Sequence, residues 1–428
     1  MIAKTKAKWT VLVYIAAHNN LGKLGQRSLE QILNVGSTPS LNLAALYDHG
    51  DGAMRCIVGP LGRPAIEETI AEFDSGDPKA LLEAVHWSYE LCPAERYALV
   101  LWSHGSGWSP KEIEKVARQA RGDGSVSENE AAERSIKSDR TALFRTTLAR
   151  VLQQNTPAER AICFDDGTQH ALDTLQLEQV AKETQNIIDQ PLDLLGMDAC
   201  LMANLEVAYQ LRDNVRYLVA SEELVPGYSW PYNEILGALN GSPDMQSRDL
   251  AALVVQYYAD YYTKNPPGLN NGDVTKVALD LSLVKEIAKA TNDFARAILD
   301  DLGGQAKYLS EGQYATRERE TLKNKRKRNK FMFHLWDLNT LALYMAEHSP
   351  NSDVKATANA IVASLQQGGA VVTEKHQGNW FEGIGGVSIY AVPPGVQRIS
   401  PYYEQIALSK DTCWNELLKA YHEAFRGY

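Results

Sequence analysis

The sequence is poor in cysteine. It has 5 in 428 residues, at Cys56, Cys92, Cys163, Cys200 and Cys413, an odd number and widely spread. No two form a CxxC pair, so neither a zinc site nor a disulfide framework is indicated. Such usage fits a reducing, cytoplasmic compartment, which also keeps a reactive thiol usable. Long apolar runs are missing too. No stretch approaches the ~18 residues of a membrane-spanning helix, so no membrane partner is expected. The lysine-bearing start Met1–Lys8, followed by apolar Trp9–Ala17, superficially resembles a signal peptide, but it is short and reads as a core strand. Basic charge is not in excess: the formal net charge is -10, which argues against nucleic acid as a main partner. There is no HExxH and no GxSxG, so zinc-protease and serine-hydrolase readings fail. No repeat and no linker-length low-complexity tract interrupts the chain.

What remains is ordinary for a soluble globular protein, with 44% hydrophobic and 22% charged residues. Apolar runs at Trp9–Ala17, Leu41–Tyr47, Tyr97–Trp102, Leu192–Met197 and Val215–Ser221 read as buried strands. Helical spacing separates them, for example at Leu21–Val35 and Thr174–Ile188, with Asp77 and Asp173 as caps. Strand and helix in alternation mark an α/β protein with a parallel sheet covered on both faces.

Two strand ends carry the chemistry. Leu192-Asp-Leu-Leu-Gly-Met-Asp-Ala-Cys-Leu-Met-Ala203 predicts a strand ending at Asp198 and a helix opening at Ala199-Cys200. Open α/β sheets place their sites at such carboxyl ends. A helix amino end also lowers a thiol's pKa, which favours the nucleophilic thiolate. Tyr97-Ala-Leu-Val-Leu-Trp-Ser-His-Gly-Ser-Gly-Trp108 is the partner, with His104 at the end of a second strand. Parallel neighbours lie ~5 Å apart and end on one edge, so Cys200 and His104 are expected to share a cleft.

His-Gly after one strand and Ala-Cys after the next resembles the caspase–gingipain–legumain clan of cysteine peptidases. Most similar is the clostripain family, peptidase family C11. The matching segments are Val11-Leu-Val-Tyr-Ile-Ala-Ala-His-Asn-Asn-Leu21, Leu101–Trp108, Gly196–Ala203 and Ala220-Ser-Glu-Glu-Leu-Val-Pro-Gly-Tyr-Ser-Trp-Pro-Tyr232, with Gly385–Tyr390 further on. The resemblance implies a caspase-like three-layer α/β/α sandwich with a mostly parallel central sheet. Residues 1–240 would form the catalytic core, and 241–428 an extension packing on or completing it.

The expected activity is cysteine-type endopeptidase action on protein or peptide substrates. Cys200 would attack the scissile carbonyl, His104 would assist proton transfer, and the N–H groups of Gly105 and Cys200 would hold the oxyanion. The alternative is an inert caspase-like binding or scaffold protein, since fold does not fix function. Reading Gly105-Ser-Gly107 as a phosphate cradle lacks the full GxGxxG.

Asp198 resembles the family's acidic residue at the floor of the S1 pocket, which implies basic P1 residues. It also suits a helix cap. Two positions depart from the family pattern. Tyr228 stands where an acidic residue is frequent, which leaves Lys or a looser P1 open, and His18 stands where Asp is usual. Trp230 is read either as a wall of the substrate pocket or as a plug under its loop.

The polar stretch 108–145 is an insertion of the kind that is functional or disordered. In the resembled family this region carries a self-cleavage site after a basic residue, and Arg118, Arg121, Arg134, Lys137 and Arg140 are candidates. Asp165-Asp166 reads as a turn-forming pair rather than a metal pair, because no His or Glu follows at ligand spacing. No metal and no cofactor is therefore expected. Calcium is implied only by the resemblance, and no recognisable calcium loop occurs. The basic run 323–330 reads as a solvated loop.

Overall fold

The computed structural model describes residues 6–19, 21–103, 105, 162–163, 165, 167–168, 170–223, 225–265, 274–321, 335–366, 368–377, 383–392 and 399–424. The strands are β1 (Ala7–Ala16), β2 (Leu41–Asp48), β3 (Ala53–Val58), β4 (Pro64–Ile70), β5 (Ala94–Trp102), β6 (Leu192–Asp198), β7 (Val215–Ala220), β8 (Val274–Asp280), β9 (Leu335–Asp337), β10 (Val371–Gln377) and β11 (Ser388–Tyr390). One 9-stranded sheet runs in the order β10-β8-β7-β6-β5-β1-β2-β3-β4. Its middle, β7-β6-β5-β1-β2, is parallel. Antiparallel strands extend it on both sides.

The parallel strands are apolar along their length because both faces are covered. In β1, Leu12 and Tyr14 point into one core while Val11, Val13 and Ile15 point into the other. Helices α1 (Gly22–Val35), α2 (Pro78–Leu91), α3 (Thr174–Ile188), α4 (Leu205–Leu211), α5 (Tyr232–Gly241), α6 (Ser247–Lys264) and α7 (Val284–Asp300) divide between those faces. Leu81 and Val85 of α2, Leu177 of α3 and Phe294 of α7 pack on the first. Ile32 of α1, Leu236 of α5 and Val254 of α6 pack on the second. The result is a three-layer, caspase-like α/β/α sandwich. Both expected caps form: Asp77 accepts from the N–H of Lys79, and Asp173 makes a reciprocal capping box with Gln176.

Residues beyond 241 are built into the same sheet through β8 and β10. The later chain also reaches the turn that follows β6. Ser388 N–H donates to Ala203 O at 3.0 Å, and Trp414 Nε1 donates to Tyr390 O at 2.6 Å. No described helix is long and apolar enough to cross a membrane.

Three elements differ from expectation. The helix after β6 starts at Leu205, not at Ala199. Leu201 has φ 63°, a left-handed conformation that stops helix growth, and Asn204 caps the following turns by accepting from Val207 N–H. Strand β4 is exposed or half-buried throughout, so it carries no apolar alternation to betray it. Helix α5 begins directly after Trp230-Pro231, in a stretch where no element is expected from the sequence.

Glu206 in α4 is fully buried. Its Oε1 accepts from Tyr390 N–H and Tyr403 OH, each at 2.9 Å. Burial pushes its carboxyl up to about 7, against hydrogen bonds that lower it. Below the unfolded value of 4.5 both states are protonated. Between that value and about 7 the native state keeps a proton that the unfolded chain has lost, so stability falls as pH rises through this window. The loss is on the order of 3 kcal/mol once complete. Glu206→Gln should therefore unfold later than wild type at pH 8 and together with it at pH 4.5. Denaturant midpoints at the two pH values check this, and equal midpoints at pH 8 would refute it.

Candidate active site

Strands β5 and β6 pair in register, with Trp102 opposite Asp198. Both chains leave the sheet there. Ser103 turns back to donate its Oγ–H to Ala16 O at 3.1 Å. After Asp198 the chain makes the irregular turn Ala199–Ala203, tied to the segment that follows β7. Leu201 N–H donates to Glu223 O at 3.2 Å, and Ala203 N–H to Ser221 O at 2.9 Å. These bonds hold the left-handed Leu201, a conformation that costs about 1–2 kcal/mol.

Cys200 sits in this turn, 7% exposed. Its Sγ accepts from Val225 N–H at 3.2 Å. Since no helix begins at Cys200, the expected depression of the thiol by a helix end does not arise. Burial instead pushes the thiol up to about 12, opposed by the Val225 N–H and by the Lys276 ammonium. A thiol must give up its proton to act as a nucleophile.

Gly105 meets this turn directly. A Cβ at 105 would lie 2.5 Å from Cys200 O, 2.9 Å from Ala199 Cβ and 3.1 Å from Cys200 N. Only glycine allows that approach. Gly105 also bridges to Ile162. His104 lies outside the described residues, between Ser103 and Gly105, both of which stand at this edge.

Asp198 is 3% exposed. Its Oδ2 accepts from Ser229 Oγ, from Trp230 N–H at 3.0 Å and from Tyr232 OH at 3.0 Å, so the loop after β7 is folded around it. Its Oδ1 is buried without a hydrogen-bond partner among the described residues. Burial raises its carboxyl above the usual range, and Lys276 works against that rise. It caps no helix. Tyr228 is 49% exposed, with the Arg27 guanidinium 4.4 Å from its ring centroid. Trp230 is 1% exposed, and its ring occupies the space a side chain at Gly196 would need. Of the two readings of Trp230, this burial describes a plug.

Lys276 escapes sequence reasoning. It is 1% exposed, and its Nζ has no hydrogen-bond partner among the described residues. The ammonium lies 4.1 Å from the Tyr258 ring centroid and 5.1 Å from that of Trp230, where cation–π attraction replaces part of its hydration. Burial pulls it down to about 8, while Asp198 and Cys200 hold it up. A lone lysine within the largely apolar β8 is the signal that could have found it.

A buried thiol at the carboxyl end of a parallel strand, with a glycine-lined loop from the neighbouring strand against it, is the arrangement of caspase-like cysteine hydrolases. The clostripain family profile matches residues 13–132 and 149–421, and the chain belongs to that family. Clostripain of Hathewaya histolytica is 25% identical over 275 residues, which are 56% of this chain and 44% of that protein. The match thus spans less than half of clostripain's length. A secreted C11 cysteine protease from Bacteroides thetaiotaomicron, solved with an irreversible peptide inhibitor, superposes with a TM-score of 0.61 at 19% identity, covering 97% of this chain and 99% of that one. An inactive zymogen C11 protease from Parabacteroides distasonis gives 0.56 at 16% identity, covering 95% and 99%.

The description of the Bacteroides proteins as secreted overturns the expectation of a cytoplasmic location. That expectation rested on cysteine usage and on reading the lysine-bearing start and Trp9–Ala17 as a core strand rather than a signal peptide. All 5 cysteines are free, but a core of this size needs no cross-links, so free thiols do not report the compartment.

Proposed function

We propose that the protein is a cysteine endopeptidase acting through a Cys200–His104 dyad. Cys200 Sγ attacks the scissile carbonyl carbon, and its proton passes to the His104 imidazole. The carbonyl oxygen becomes an oxyanion held by the N–H groups of Gly105 and Cys200. Collapse to the thioester expels the amine, which takes the proton from His104, and water then hydrolyses the thioester. The chemistry runs on side chains and needs no cofactor. The observation that carries the reading is the contact of Gly105 with the Cys200 backbone, which joins loops far apart in the chain.

The substrates we infer are proteins or peptides with Arg or Lys at P1. Support comes from Asp198, whose Oδ1 is left without a partner while its Oδ2 is fully engaged. An entering ammonium or guanidinium would complete it. Neither nucleic acid nor membrane is a partner in this reading. Self-processing within 108–145 is part of the same proposal. That segment and its candidates Arg118, Arg121, Arg134, Lys137 and Arg140 lie outside the described residues, as does the basic run 323–330.

A fluorogenic P1 panel tests this. Asp198→Asn keeps the shape and removes the charge, so kcat/KM for Arg and Lys substrates should fall about 100-fold while neutral P1 substrates change little. An equal fall across the panel would reject Asp198 as the P1 selector. Labelling of Cys200 by a lysyl or arginyl chloromethylketone separates the enzyme from an inert scaffold, which would stay unlabelled. Intact mass spectra that show one uncut chain would reject self-processing.

A further inference from the structure

The one cluster of potential metal ligands among the described residues does not suit calcium. Among the described residues, His18, Asp48 and Asp165 each offer a ligand atom, all within 4.8 Å of one another. Calcium takes 6–8 oxygens and avoids imidazole. One imidazole nitrogen and two carboxylates are instead the donor set of a first-row divalent metal.

We propose that His18, Asp48 and Asp165 form a transition-metal site of the zinc(II) class, made of residues other than those assigned to the peptidase chemistry. Three chain segments converge on it. His18 follows β1, Asp48 ends β2, and Asp165 belongs to the segment that rejoins the body at Ile162. Asp48 and Asp165 are 1% and 0% exposed, while the His18 side chain is 28% exposed and gives the ion its entry.

Unsatisfied atoms aim at the shared space. Among the described residues, Asp48 Oδ2 and His18 Nδ1 are buried atoms without a well-formed hydrogen bond, although the Ser75 side chain lies close enough to lower the Asp48 carboxyl. The Nδ1 lies 2.9 Å from Asp165 Oδ1, but out of line for an N–H donor. Two buried carboxylates and one imidazole leave a negative excess that a divalent cation cancels, and leaving such groups unmatched is costly.

The remaining contacts behave as outer support. Asp165 Oδ1 accepts from Gly167 N–H at 2.8 Å and Thr168 N–H at 3.0 Å. Its Oδ2 accepts from Ser75 N–H at 3.2 Å and Ser75 Oγ at 3.4 Å. Asp48 Oδ1 accepts from Gly50 N–H at 3.1 Å. Ligating carboxylates are hydrogen-bonded in this manner, which orients them. Glycines frame the ring as well. A Cβ at Gly50 would come 2.7 Å from His18 Cδ2, and one at Gly167 would overlap the ring. At metal–ligand distances of about 2.0–2.2 Å, tetrahedral donors stand about 3.3 Å apart. Small side-chain rotations reach that spacing, and water fills the fourth position. The bound ion would clamp Asp165 to the ends of β1 and β2.

The test uses the full chain carrying Cys200→Ala, so that the active-site thiol cannot compete for metal. The protein is stripped with chelator, equilibrated with zinc(II), passed over a desalting column and assayed for metal. Thermal unfolding is followed in parallel. About one equivalent should remain, with a melting midpoint raised by about 3 °C or more, and millimolar calcium should do neither. Adding either His18→Asn or Asp48→Asn should abolish both effects, with circular dichroism confirming that the variants are folded. Failure to retain zinc, retention undiminished in both folded variants, or an equal response to calcium would each overturn the proposal. The peptidase assay is a separate measurement, so neither result decides the other.

Discussion

Cys200→Ala is expected to reduce kcat/KM for any peptide substrate by about 10⁴-fold or more, to the uncatalysed background. The thioester route needs a sulfur at this position, and among the described thiols Cys200 is the one whose backbone lies against Gly105. The protein should still fold. The thiol's clear hydrogen bond is the Val225 N–H at 3.2 Å, and leaving that donor unpaired costs about 1–3 kcal/mol. The expected variant is a folded, slightly destabilised and inactive chain. Progress curves and melting midpoints on the same preparation check both parts. A folded variant that keeps its activity would mean that the chemistry lies elsewhere.

Gly105→Ala should be nearly as damaging, by a different route. The added methyl meets Cys200 O at 2.5 Å and Cys200 N at 3.1 Å. Those are backbone atoms of a turn already held by Leu201 and Ala203 hydrogen bonds, so neither side yields cheaply. Overpacking of this kind costs about 1–3 kcal/mol. The damage to rate exceeds the damage to stability, because a displacement of ~1 Å between reacting groups can cost about 100-fold. Gly237→Ala is the matched control. A Cβ there meets nothing within 4 Å, in the exposed middle of α5, so the change should stabilise by about 0.5–1 kcal/mol and leave turnover alone. Equal kinetics for the two variants would remove Gly105 from the site.

The sheet was legible because its central strands are covered on both faces and therefore stand out as apolar runs. β1, β2, β5, β6 and β7 all read this way. The meeting of the Gly105 and Cys200 loops followed from parallel order alone. The local shape of the nucleophile's turn did not. Ala199–Ala203 has the composition of a helix start, and only tertiary bonds to Ser221 and Glu223 hold Leu201 in its left-handed state. Lys276 and the His18 cluster were hidden for another reason. Spacing rules see ligands on one segment, whereas His18, Asp48 and Asp165 come from three, and the single lysine of β8 gains meaning only beside Asp198. The compartment was misjudged because thiol count says more about how a core is stabilised than about where a protein travels.

The contact between Ser388 and Ala203 has a bearing on the timing of synthesis. A ribosome releases the nucleophile's turn long before it makes the residues that complete its surroundings. Until Ser388 docks, that turn lacks a neighbouring strand, and the nascent chain is left with an unfinished catalytic edge. The edge proposed as catalytic is thus completed only after the last part of the chain has been made.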